Sequence, residues 1–141
     1  MQLTPIKIID LFAGPGGLGE GFSSFNIDDT FPFRISLSVE MEYSAWKTLR
    51  LRSFVRQFTQ NNQSIPDEYF DYLAGKLGKD PEEILFKKFE KQANIAREEA
   101  LQLTLGDETD NKIIFEQIKN KLAGDKNWVL IGGPPCQAFS L

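Results

Sequence analysis

Three features of this chain have residue types and spacing that could do chemistry, and each follows an apolar run. Gly14, Gly16 and Gly19 satisfy the spacing GxGxxG between a strand-like and a helix-like segment. Glycine at such a turn leaves no side chain to block the close approach of a ligand. Glu40 follows about twenty positions later at the end of a second strand-like run, where its carboxylate could accept from both hydroxyls of an adenosine ribose. NAD, FAD and S-adenosylmethionine all present that ribose, so these residues leave the three open, beside the plainer reading of a tight turn with no ligand. The third feature is Cys136 in Gly132-Gly133-Pro134-Pro135-Cys136-Gln137, where two prolines stiffen the loop. A lone cysteine is more often a small buried hydrophobe, but a rigid loop at a strand's carboxyl end argues for a nucleophile.

The elements that must position these groups are legible from periodicity. Residues from Ile6 to Phe12 read as a strand, Ala13 to Gly17 as a turn, Leu18 to Phe25 as a helix and Arg34 to Val39 as a second strand. A helix from about Ser44 to Phe58 would pack on the sheet through Ala45, Trp46, Leu49 and Phe58. Two further helices are expected, from Pro66 to Leu73 and from Pro81 to about Leu103, the second with Asp80 as cap and Pro81 at its first position. Residues from about 50 to 104 therefore read as a helical insertion. Another helix is expected from about Asn111 to Leu122 with Asp110 as cap, and then a strand from Trp128 to Gly132. Strands alternating with helices imply a parallel sheet with ligands at the carboxyl ends of its strands, so Gly14, Glu40 and Cys136 should converge on one rim.

Composition bounds the reading. A chain of 141 residues, 41% hydrophobic and 26% charged, suits one globular domain. One cysteine and no histidine exclude an internal disulfide and a Cys/His zinc site, and no metal is expected. With neither a signal-like start nor about 18 consecutive apolar residues, a cytoplasmic protein without membrane contact is expected. Sixteen basic against twenty acidic residues give a net charge of −4, which argues against a large phosphate-contacting surface within this segment.

Two segments at opposite ends carry a resemblance that composition does not: DLFAGPGG from Asp10 to Gly17 and GGPPCQAFS from Gly132 to Ser140. Both resemble hallmark motifs of the DNA cytosine-5 methyltransferases, and the second is the more specific. The resemblance implies a Rossmann-like S-adenosylmethionine-dependent methyltransferase fold, here its amino-terminal part, with a mostly parallel sheet and a helical insertion. S-adenosylmethionine would lie over the glycine turn against Phe12, Gly14, Pro15 and Gly17, with Glu40 on its ribose, Met41 against the adenine and Pro135 also at the cofactor. Asp107, in Leu105-Gly106-Asp107, matches the acid that accepts from the adenine amino group, although it could equally be loop polarity after a helix stop at Gly106. Cys136 would be the nucleophile that adds to carbon 6 of a cytosine flipped from double-stranded DNA, and Gln137 and Ser140 would face the DNA.

The family's ENV and QxRxR motifs, target-recognition domain and closing carboxyl-terminal helix have no counterpart in these residues. A fragment inactive on its own is therefore expected. The alternatives are a cofactor-binding subunit of a split methyltransferase, completed by a second chain, and an NAD- or FAD-binding piece of an oxidoreductase. The last leaves GGPPCQAFS without a role.

Overall fold

The computed structural model describes residues 4–135. Among them four strands and six helices occur in the order β1 (Ile6–Leu11), α1 (Gly17–Ser24), β2 (Phe33–Glu40), α2 (Tyr43–Thr59), α3 (Asp67–Leu73), α4 (Pro81–Lys88), α5 (Glu90–Glu99), β3 (Ala100–Gln102), α6 (Glu108–Leu122) and β4 (Trp128–Gly132). All strand pairs are parallel and the sheet order is β3-β2-β1-β4. The chain leaves β1 toward β2 and β3 on one side and returns to place β4 on the other. Such a reversal opens a crevice at the carboxyl ends of β1 and β4.

The central strands are apolar because helices cover both faces. Ile9, Leu37 and Val39 pack with Ile114 and Leu122 of α6, joined by Leu101, Leu103 and Leu105. On the opposite face α1 and α2 lie close, with Gly16 against Leu49 and Gly19 against Ile35. Ile35 and Leu37 point to opposite faces although they are two apart, because the register shifts between Ile8 and Ile9 and leaves Ser36 without a partner in β1. That extra residue inverts the alternation expected of a regular strand.

The helices between β2 and β3 build a second core, in which Phe54, Phe58, Leu85, Phe86, Ala93 and Ala96 are buried. Phe54 sits 4.9 Å from Phe86 and 5.4 Å from Phe58 between ring centroids. Arg50 ties this core to the sheet side by lying 4.1 Å over the Trp46 ring, while the Trp46 Nε1–H donates to the Ala100 carbonyl at 3.0 Å.

Three expectations are corrected here. The segment from Pro81 to Leu103 is two helices and the strand β3, because Leu101 to Leu105 alternates apolar and polar residues at the period of a strand. Pro81 does open α4, but Asp80 has a left-handed backbone (φ 56°) and its side chain makes no capping bond. The last helix starts at Glu108 and is capped by Asp107, whose carboxylate accepts from the Thr109 and Asp110 amides, whereas Asp110 accepts from Thr104.

Because Phe54 is fully buried among aromatic neighbours, Phe54→Ala should lower stability by about 3–5 kcal/mol. Urea unfolding followed by circular dichroism reads this as a lower midpoint at unchanged slope.

Candidate functional site

The carboxyl end of β1 runs into a backbone that few residues tolerate. Phe12, Gly14 and Gly16 have φ of 56°, 57° and 92°. A Cβ at Gly16 would sit 2.9 Å from Leu49 Cδ1, and one at Gly19 would sit 3.1 Å from Asp10 Oδ2. Gly16 lets the turn close onto α2, and Gly19 lets α1 close onto the sheet. Gly14 differs, since a Cβ there would meet nothing within 4 Å, so the space above the turn is open.

Glu40 anchors this turn. Its Oε2 accepts the Gly14 N–H at 2.7 Å and its Oε1 accepts the Glu42 N–H at 2.8 Å, while the Ala13 N–H donates to the Val39 carbonyl at 3.0 Å. One carboxylate thus joins the end of β1, the end of β2 and the start of α2. Glu42 in turn caps α2 by accepting from Ser44 and Ala45, and these backbone bonds hold its carboxyl below the usual carboxylate range.

Phe12, Glu40 and Met41, each singled out from the sequence, lie together in the structure. With Val39, Leu103 and Leu105 they line a narrow cleft of about 20 Å³. Phe12 and Met41 are 40% and 63% exposed, so two apolar surfaces flank the Glu40 carboxylate at the mouth. Leu103 and Leu105 were missed by that reasoning. Their signal lay in the two-residue alternation that continues through Leu101, Leu103 and Leu105.

The remaining sequence-derived positions divide. Pro15 and Gly17 are exposed on the open side of the turn, at the start of α1. Asp107 lies two residues beyond Leu105 of the cleft and is engaged as the cap of α6. Gly132 pairs with Leu11, and a Cβ there would collide with the Leu11 carbonyl oxygen, so β4 delivers Gly133, Pro134 and the exposed Pro135 beyond the rim that holds the glycine turn. Cys136, Gln137 and Ser140 lie outside the described residues. Among the described residues no group of three His, Cys, Asp or Glu side chains could hold a metal ion, and no helix is long and apolar enough to cross a membrane.

Asp10, the first residue of DLFAGPGG, is a titrating group that sequence reasoning did not single out. It is 2% exposed and its Oδ1 has no hydrogen-bond partner. Burial pushes its carboxyl up to about 6, against the pull of the Arg56 guanidinium and with a further push from Glu40. Arg56, itself 3% exposed, pairs with the buried Glu99 and, at 3.1 Å, with Glu20 of α1.

An all-parallel sheet, a glycine turn after its central strand and an acid ending the next strand make this a Rossmann-like α/β fold, consistent with that of a methyltransferase. Comparison with known proteins agrees. The chain is 30% identical to a type II methyltransferase of Bacillus paralicheniformis over 145 aligned positions, which cover 95% of the chain and 31% of that protein's length. No family model and no solved structure matches the chain. The chain thus spans about a third of the length of the type II methyltransferase that it resembles.

The raised carboxyl of Asp10 has a sign that can be measured. A folded-state value near 6, above the ordinary value near 4, means that its contribution to stability is complete below about pH 4 and is lost as pH rises through about 6. Asp10→Asn, which keeps the shape and removes the titration, should flatten the fall in unfolding free energy between about pH 4 and 6 and stabilise the protein at neutral pH. Parallel pH-stability curves for the two proteins would refute this account.

Proposed function

We propose that this chain is the cofactor-binding and nucleophile-bearing part of a DNA cytosine-5 methyltransferase, acting on double-stranded DNA with S-adenosylmethionine. The observation that carries the reading is the junction of Leu11 and Gly132 at one rim, which brings the glycine turn, Glu40 and the start of GGPPCQAFS to neighbouring strand ends.

The residues at the turn fit the cofactor. Gly14 leaves open space, and Phe12 and Met41 offer exposed apolar surfaces on either side of an acid. Each Glu40 oxygen accepts one backbone amide and keeps a second lone pair for a ribose hydroxyl. When bound, S-adenosylmethionine supplies an electrophilic methyl group. Cys136 supplies the covalent chemistry: as a thiolate it adds to carbon 6 of a cytosine turned out of the duplex, which makes carbon 5 nucleophilic. After carbon 5 is methylated, loss of its proton expels the thiolate and restores the ring. Pro134 and Pro135 limit the backbone freedom of the segment leading to Cys136.

Glu40→Ala should weaken S-adenosylmethionine binding by about 10- to 150-fold in calorimetry, the equivalent of about 1.5–3 kcal/mol for hydrogen bonds to a charged acceptor. NAD titrated in parallel should give no saturable heat. Unchanged affinity in the variant would remove the ribose assignment, and tight binding of NAD would move the chain to the oxidoreductases. For the nucleophile, the protein in its complete active form should form a covalent adduct with DNA containing 5-fluorocytosine, whose carbon 5 cannot release its substituent, and Cys136→Ser should abolish it. An adduct that persists in the serine variant would assign the chemistry elsewhere.

A further inference from the structure

Gln102 is the last residue of β3 to pair, and its partner across the ladder is Glu40. Strand alternation turns Ala100 and Gln102 toward the face that carries α2, because Leu101 and Leu103 pack on the opposite face with Ile114 and Leu122 of α6. The Gln102 side chain is therefore set beside the residues that lead from β2 into α2. Met41 lies there, between the end of β2 and the cap of α2, outside both ladder and helix. Its carbonyl accepts the Gln102 Nε2–H at 3.3 Å, and the N–H that follows it, of Glu42, donates to Glu40 Oε1 at 2.8 Å. That carbonyl and that N–H belong to one planar peptide unit, so Gln102 holds one pole of the plane and Glu40 the other.

We propose that Gln102 is a positioning residue for the cofactor: through the peptide that joins Met41 to Glu42 it orients the Glu40 carboxylate toward the ribose. Fixing the Met41 carbonyl fixes the Glu42 N–H behind it, and that N–H sets one oxygen of Glu40. The other oxygen is held at 2.7 Å by the Gly14 N–H, so the carboxylate is left a single orientation in which each oxygen keeps a lone pair for a ligand. Three strand ends are thereby linked in series, Gln102 of β3 to Glu40 of β2 and Glu40 to Gly14 after β1. The residue type matters. A Lys or Arg at this place would draw the Glu40 carboxylate toward its own charge, whereas a neutral amide donates to the carbonyl and leaves Glu40 to its two amides. The inference rests on the reading of this cleft as an S-adenosylmethionine site.

The test uses Gln102→Met, which keeps the length of the side chain and removes the donor. Because Gln102 is exposed, the urea unfolding midpoint should stay where it is. In the free chain the amide resonances of Glu42 and Gly14 should move, while those of Ile8 and Ile9 in the middle of β1 stay. Calorimetry should show S-adenosylmethionine bound about two- to tenfold more weakly, the equivalent of one neutral hydrogen bond. The analogue of the cofactor that lacks both ribose hydroxyls should bind the variant and the parent chain equally, since Glu40 then has nothing to receive. A merely structural defect would weaken both ligands alike. Unmoved Glu42 and Gly14 resonances, an equal loss for both ligands, or full S-adenosylmethionine affinity in Gln102→Met while Glu40→Ala weakens it would each overturn the proposal. Full affinity in Glu40→Ala as well would instead withdraw the ribose reading, and the proposal with it.

Discussion

Strand β1 is held in parallel register between β2 and β4, and the site follows from that constraint. Parallel neighbours cannot be joined by a tight turn, so each connection must cross a face of the sheet with a helix and return to the same end. The carboxyl ends of β1, β2 and β4 therefore lie side by side. Segments far apart in the chain, the turn at Gly14, the acid at Glu40 and the loop entered at Gly132, become neighbours through this pairing alone. Glu40 then acts as the local fastener, because its two oxygens hold the Gly14 and Glu42 amides and so set the turn against the first residues of α2.

Beneath that turn lies a buried cluster of charge. Arg56 from the last turn of α2 pairs with Glu99 at the end of α5 and with Glu20 of α1, and it faces Asp10 on β1 closely enough to pull on its titration. A buried pair of this kind contributes little net stability, since desolvation offsets much of the attraction, but removing one partner leaves an uncompensated charge. The cluster therefore specifies how α1, α2, α5 and β1 meet. Gln60 adds to this by donating to the carbonyls of Ser23 and Phe33, tying the end of α2 to α1 and β2.

The helices between β2 and β3 have a supporting role that their distance from the rim conceals. Their aromatic core around Phe54 packs α2 against α4 and α5, and α2 begins at the Glu42 cap beside the cleft. Through Trp46 and Ala100 the same helix also closes the β3 edge. Stability stored in this second core is thus coupled to the position of Glu40 and Met41 without either residue being part of it.

Local physics accounts for what the sequence alone determined. The run from Ile6 through the glycine turn to Glu40 and the strand from Trp128 to Gly132 were legible, because hydrophobic period, glycine conformation and strand-end position are properties of short segments. Strand β3 was hidden behind the strongly helical residues of α5, and only three of its residues pair, so the alternation of Leu101, Leu103 and Leu105 was outweighed by its neighbours. The sequence points to Asp110 and not Asp107 as the cap of α6 because either carboxylate suits a helix start, and only the bond that Asp110 accepts from the Thr104 amide shows that it is occupied elsewhere. Tertiary structure alone decided that Asp10 is buried without a full set of partners, that Ser36 inverts one strand's faces and that β4 joins the sheet beside β1. Burial and pairing belong to contacts between distant segments, and no local pattern encodes which of those contacts a side chain or a strand edge will find.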